Sequence, residues 1–242
     1  CIENCRIILE NSPSDFYLNS AHETMARAYI ANGDYENALG ESNELPNNYQ
    51  LRDACYELLK LTSELETNLE DGNYHAAAQT LDTLIRNSPN AKEFLLKRAN
   101  VAFQLQDFRR FRHLFDQISN EFPDDGQLLY QFGITYFCDK DFGHAFDNIK
   151  LSQKMINSPP NIDKVLQSIE FVRDHLINAE RYLQQQQFAE SEFEIQFARS
   201  NATFFCPVFA PLMRNIRIIE LEITRHKTPE EQLDILTRMI NE

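Results

Sequence analysis

Residues 65–89 read LETNLEDGNYHAAAQTLDTLIRNSP, and their punctuation decides the fold. Gly72 and Asn73 form a short polar break between two helical patterns. After the break, Tyr74 is followed by Ala77, Leu81 and Leu84, which fall on one side of a helix. Asn87-Ser88-Pro89 ends that helix, because proline lacks the N–H that a helix interior needs and its ring clashes with the preceding turn. Before the break, Leu51, Ala54, Cys55, Leu58, Leu59, Leu61 and Leu65 make one uninterrupted stripe. The stretch is a helix, a tight turn and a second helix, and neither helix hides its apolar side alone.

The same break recurs at Gly33-Asp34-Tyr35, Gln106-Asp107-Phe108, Lys140-Asp141-Phe142 and Gln186-Gln187-Phe188. The five turn aromatics stand 39, 34, 34 and 46 residues apart. Pro13, Pro46, Pro89, Pro123, Pro159, Pro160, Pro207 and Pro229 mark helix boundaries, and Pro211 opens a helix where its missing N–H costs nothing. Before each turn comes a seam position, held by Ala26, Leu65, Ala99, Gly133 and Ala179, and three residues on stand Tyr29, Asn68, Ala102, Tyr136 and Tyr182. After the turn, Phe142 is followed by Ala145, Ile149 and Ser152, and Phe108 by Phe111, Phe115 and Ile118. Leu65 and Phe111 stand where a small residue is expected, and Asn68 where an aromatic is. The two long intervals carry unbroken stripes, the second through Ile162, Val165, Leu166, Ile169, Val172, Leu176 and Ala179, and predict helices elongated at their N-termini. With six glycines in 242 residues, turns needing left-handed backbone are expected to be few.

These residues resemble the tetratricopeptide repeat (TPR) superfamily, whose period is about 34 residues, over nearly the whole chain. The resemblance implies an all-α, right-handed superhelical solenoid of antiparallel helix pairs with two elongated joining helices. One domain over residues 1–242 is expected: a partial repeat plus one repeat in 1–50, three repeats in 51–160, and two repeats, the last truncated, in 161–242. Cys1, Cys5, Ile8 and Pro13 match the end of a second helix. Thr228-Pro229-Glu230-Glu231 reads as a capping box opening a helix through Leu233, Leu236 and Ile240. Both ends thus fall inside a repeat, and the parent protein is expected to continue in both directions.

The layout is more narrowly similar to the TPR region of the endoplasmic-reticulum J-domain co-chaperones of the p58-type inhibitor-of-kinase family. That resemblance implies a client-binding piece that holds unfolded polypeptides and passes them to an Hsp70-class chaperone through a J domain outside this stretch. It implies the endoplasmic reticulum lumen, with the cytoplasm as the alternative. The chain departs from that family in lacking a His-Pro-Asp tripeptide and cysteine pairs of the kind used there as lumenal disulfides.

Composition narrows the chemistry. A formal net charge of −14 repels phosphate backbones and argues against nucleic acid as a partner. The one basic run, Phe108-Arg109-Arg110-Phe111-Arg112-His113, reads as a solvated helix face with its aromatics on the other side. No stretch approaches the roughly 20 apolar residues that a membrane span needs. The five cysteines, Cys1, Cys5, Cys55, Cys138 and Cys206, read as small buried thiols in helix seams. The six histidines are scattered through separate units, no metal or cofactor site is expected, and no nucleotide or catalytic motif is present. Asn201-Ala202-Thr203 is an N-glycosylation sequon. The expectation is a non-enzymatic protein-binding scaffold.

Repeat arrays of this kind bind extended peptides on the face built from the first helix of each pair. The outward positions there are Leu96, Asn100 and Phe103 in one unit and Tyr130, Ile134 and Phe137 in the next, which are expected to form an apolar peptide groove. A clamp for acidic chaperone tails is disfavoured, because its positions hold Glu23, Arg27, Thr62, Glu66, Leu96 and Asn100, of which Asn100 alone fits. The remaining alternative is an adaptor or architectural subunit of a multiprotein complex with no client-holding role.

Overall fold

The computed structural model describes residues 2–11, 14–46 and 48–241. The expectations placed on Cys1 and Pro13, and on the side chains of Leu236 and Ile240, lie outside what is described. The described residues contain thirteen α-helices and no strand; one isolated parallel bridge joins Asp125 to Ile156.

The chain divides into two compact units, Cys1–Glu121 and Phe122–Glu242. The first holds α1 (Ile2–Asn11), α2 (Asp15–Asn32), α3 (Tyr35–Asn43), α4 (Tyr49–Glu70), α5 (Tyr74–Asn87), α6 (Lys92–Gln104) and α7 (Phe108–Ile118). Each of these packs against the next. The second holds α8 (Gly126–Cys138), α9 (Phe142–Ser152), α10 (Ile162–Gln184), α11 (Phe188–Ala202), α12 (Pro211–Thr224) and α13 (Pro229–Asn241). There the neighbours also pack in sequence, and α12 reaches back to α8 and α10. The two stripes without breakers become the longest helices, α4 with 22 residues and α10 with 23.

All five expected turns form, and each turn aromatic is the first residue of its helix. Each is a Schellman closure: the amide two past the cap reaches back to a carbonyl in the last turn. Asp34, Asn73, Asp107, Asp141 and Gln187 donate to Tyr29, Asn68, Ala102, Tyr136 and Tyr182 at 2.8–3.0 Å. The residue preceding each donor is left-handed. Glycine fills that place only at Gly33 and Gly72; Gln106, Lys140 and Gln186 take φ of 57°, 72° and 59°. Asn157 and Asn161 are left-handed as well. The small glycine count therefore did not limit such turns, because the bonds of the closure hold non-glycine residues in a region that costs them about 1–2 kcal/mol. Side chains finish the ends. Asp34, Asp107 and Asp141 accept from the backbone N–H of Asn37, Arg110 and His144.

The seam residues before the turns are buried completely at Ala26, Leu65, Ala99 and Ala179. Gly133 is needed for contact: a Cβ there would stand 2.5 Å from Ile149 Cγ1 and 3.1 Å from the Ala145 carbonyl. The residues opposite, Ala38, Ala77, Phe111, Ala145 and Ser191, are also fully buried. The two departures from a small residue thus fit, since Leu65 has Ala77 twelve positions on and Phe111 has Ala99 twelve positions back. In α7 the stripe continues through Leu114, 3% exposed, and Phe115 is only partly covered.

The cysteines need one correction. Cys5 and Cys55 are buried thiols as expected, but Cys138 and Cys206 are joined in a disulfide with Cα atoms 5.3 Å apart. The pair is 68 residues apart in sequence, and only the packing of α12 against α8 brings the loop before α12 over the end of α8. At the far end, the Thr228 amide donates to Glu231 Oε2 at 3.0 Å and the Glu231 amide to Thr228 Oγ1 at 3.4 Å, the reciprocal bonds of the capping box.

Candidate peptide-binding surface

The expected groove residues are placed unequally. On α6, Leu96, Asn100 and Phe103 are partly exposed. Phe103 turns into its own helix pair, with ring centroids 5.6 Å from Phe108 and 5.7 Å from Phe111. The Asn100 side-chain oxygen is buried without a hydrogen-bond partner. On α8, Tyr130 is partly exposed, and burial raises the pKa of its hydroxyl above the usual phenol value.

Ile134 and Phe137 are corrected from groove to core, at 1% and 0% exposure. α8 is packed by α9, the second helix of its pair, and by the return of α12 and the loop before it. Phe137 meets the edge of Phe205 at 5.8 Å and of Phe142 at 5.9 Å, beside the Cys138–Cys206 bond. Counting positions from a turn treats a repeat as though it met only its sequence neighbours, and here a later segment, the loop before α12, also packs on it.

A different apolar surface stands open on α10 and α11. Phe171, Phe193 and Phe197 are 38%, 59% and 39% exposed. Their rings touch in series: Phe193 lies 4.8 Å from Phe197, and Phe197 lies 6.2 Å from Phe171. His175 completes the cluster, 4.0 Å from Phe171 and stacked on Phe197 at 5.3 Å. Glu194 Oε2 holds the His175 Nδ1 at 2.5 Å and so fixes the imidazole between the rings. The pair repeats earlier, where His22 Nδ1 lies 2.7 Å from Glu41 Oε2 at the same distances from the turn. A sign of this cluster was available in the sequence. The buried stripe of α11 runs through Ser191, Ile195, Ala198 and Ala202, leaving Phe193 and Phe197 off it.

More apolar surface lies in the loop from Thr203 to Ala210, where Phe204, Val208 and Phe209 are 83%, 51% and 69% exposed. The disulfide pins this loop through Cys206. Asn201 of the sequon sits in the last turn of α11, its amide donating to the Phe197 carbonyl at 3.1 Å. A cleft of about 730 Å³ between α11, α12 and α13 contains two ion pairs, Arg199–Glu220 at 2.8 Å and Lys227–Glu192 at 2.6 Å. No group of three His, Cys, Asp or Glu side chains able to hold a metal occurs among the described residues. No helix among them is long and apolar enough to cross a membrane.

The family model described as tetratricopeptide repeat matches residues 68–131. Among solved structures, the crystal structure of the P58(IPK) TPR domain aligns with a TM-score of 0.61 at 11% sequence identity, over 99% of this chain and 68% of that one. The likeness shows the fold: the chain is an all-α array of TPR-type helix pairs. No curated protein matches the chain.

Proposed function

We infer that this TPR-type chain is a protein-binding scaffold that holds extended or unfolded polypeptide, as the client-binding part of a co-chaperone serving an Hsp70-class chaperone. One observation carries the reading: the contiguous exposed rings of Phe171, Phe193 and Phe197. Touching aromatics left in solvent mark interaction sites, and rigid rings give large contact area at low entropic cost. The exposed loop at Phe204, Val208 and Phe209 adds surface of the same character. Leu96 and Asn100 on α6 and, separately, Tyr130 on α8 are partly exposed and add contact surface, each within its own unit.

Delivery to the Hsp70-class chaperone would run through a J domain outside these residues. The Cys138–Cys206 bond favours an oxidising compartment, in keeping with the endoplasmic reticulum lumen.

Titration of the chain with a fluorescently labelled, reduced and carboxymethylated model protein tests this reading. Phe193→Ser/Phe197→Ser should weaken binding by about fivefold or more while the helical circular dichroism is retained. Leu96→Asp is measured alongside. Ile134→Asp is not used, since it would place a charge in the core. Unchanged client binding in the folded double variant rejects the reading.

A further inference from the structure

The helices α5, α6 and α7 enclose a groove of about 290 Å³ with an aliphatic floor of Ile85, Leu95 and Leu114. Its polar wall is made by Asp82, Arg86 and Arg110, with His113 and Gln117 beyond them. We propose that this groove is a binding site for an acidic peptide segment, one whose carboxylates alternate with aliphatic side chains.

Charge is the first reason. Two guanidinium groups share one carboxylate, and a third, that of Arg86, stands beside it without pairing to any acid among the described residues. Asp82 Oδ1 accepts from Arg98 Nε at 2.9 Å and stands 3.7 Å from Arg110, and Arg86 Nε donates to the Asp82 backbone carbonyl at 3.2 Å. The Arg98 side chain is only 11% exposed, whereas those of Arg110 and Asp82 are 45% and 46% exposed. A nearly buried guanidinium requires its counter-ion, so Asp82 is committed to Arg98. Arg86 and Arg110 are left presenting donors to solvent above an apolar trough. Carboxylates set on them would form charge-assisted bonds that the groove does not supply internally.

The setting is the second reason. On a chain of net charge −14, a local excess of arginine departs from the surrounding potential. The same net charge opposes a long phosphate polymer, which would meet the acidic surface on either side of so short a groove. A short acidic peptide meets only the groove, and its aliphatic side chains can reach Leu95 and Leu114. The site uses α5 and α7, the second helices of their pairs, and is distinct from Leu96 and Asn100 and from the aromatic cluster.

The test is fluorescence anisotropy of the whole chain with a labelled peptide alternating glutamate and leucine. A peptide of equal charge with serine for leucine, and a single-stranded oligonucleotide of equal charge, serve as comparisons. The Glu/Leu peptide should bind most tightly. Arg86→Glu/Arg110→Glu should weaken it by about tenfold or more. Arg109→Glu/Lys60→Glu, with the same change in net charge outside the groove, should change it less than about twofold. Arg86→Gln/Arg110→Gln provides a milder variant should the reversal unfold the chain, and it should also weaken binding. Phe193→Ser/Phe197→Ser should leave acidic-peptide binding intact, which separates this site from client holding. Equal losses in the groove and control variants, tighter binding of the oligonucleotide, or no binding by the wild-type chain would overturn the proposal.

Discussion

Leu65 of α4 and Ala77 of α5 lie in one buried cluster, twelve positions apart across the turn at Gly72, and neither is exposed to solvent. The pair α6–α7 has the reverse arrangement, with Ala99 before its turn and Phe111 after it. The seam needs one large and one small side chain, or two small ones, and tolerates either order.

An exchange tests this complementarity. Leu65→Ala should cost about 2–5 kcal/mol, as a buried large-to-small change does. Ala77→Leu alone should also destabilise, through overpacking. The double variant should be more stable than the sum of the two losses by about 1 kcal/mol or more, measured by urea unfolding. Additive losses would show that the two positions do not share space.

The left-handed turns give a second series. Gly33→Ala should destabilise more than Gly72→Ala, although both residues have positive φ. A Cβ at Gly33 would lie 2.9 Å from the Cβ of Ala91, whereas nothing stands within 4 Å at Gly72. Conversely, Gln106→Gly and Gln186→Gly should stabilise by about 0.5–1 kcal/mol, since relief of strain exceeds the added freedom of the unfolded chain. Lys140 is unsuited to the test, because its ammonium donates to Glu180 and Asn215 at 3.0 and 2.8 Å. Thermal unfolding of the four variants ranks them, and a loss of stability at both Gln106→Gly and Gln186→Gly would contradict the account.

Reduction gives a third. Closing a loop of 68 residues corresponds to about 4 kcal/mol in the chain-entropy description. Cys138→Ser/Cys206→Ser should lower the melting temperature, and a reductant should lower that of the wild type toward the same value without affecting the variant. Insensitivity of the wild type to reductant would show that the bond contributes nothing to stability.

Acid provides a fourth. The hydrogen bond from the His144 side chain, and then that from its backbone, lowers the pKa of Asp141 below the ordinary 3.8. The stabilisation from this cap is complete above that unfolded value and is lost as pH falls through the lower folded value. Asp141→Asn should therefore be less stable than wild type at neutral pH and close the gap below pH of about 3.8. A gap that persists at low pH would assign the cap to something other than the carboxylate.

The helices and turns were legible because each carries its signal locally. An aromatic after a polar pair, a proline after Asn-Ser and an unbroken stripe over Ile162–Ala179 need no distant partner to be read. The site was less legible. Ile134 and Phe137 looked outward by position within their repeat, but both are buried, Phe137 against Phe205 of a loop 68 residues later. Cys138 and Cys206 meet for the same reason. The aromatic cluster at Phe171, Phe193 and Phe197 had one local sign, the place of Phe193 and Phe197 off the buried stripe of α11, but the meeting of α10 with α11 that joins the three rings is not local. Asp82, Arg98 and Arg110 come together only when three successive helices have stacked.

The bond between Cys138 and Cys206 also sets how far the chain can be drawn out. If the molecule is pulled by its two ends, segments outside the bond can lengthen by about 3.3–3.6 Å per residue, but the 68 residues it encloses cannot. Roughly 230 Å of contour stays withheld until the sulfurs are separated. Tension then passes through the junction of α8 and the loop before α12, bypassing α9, α10 and α11, and those helices with their aromatic cluster remain shielded from force while the flanks give way.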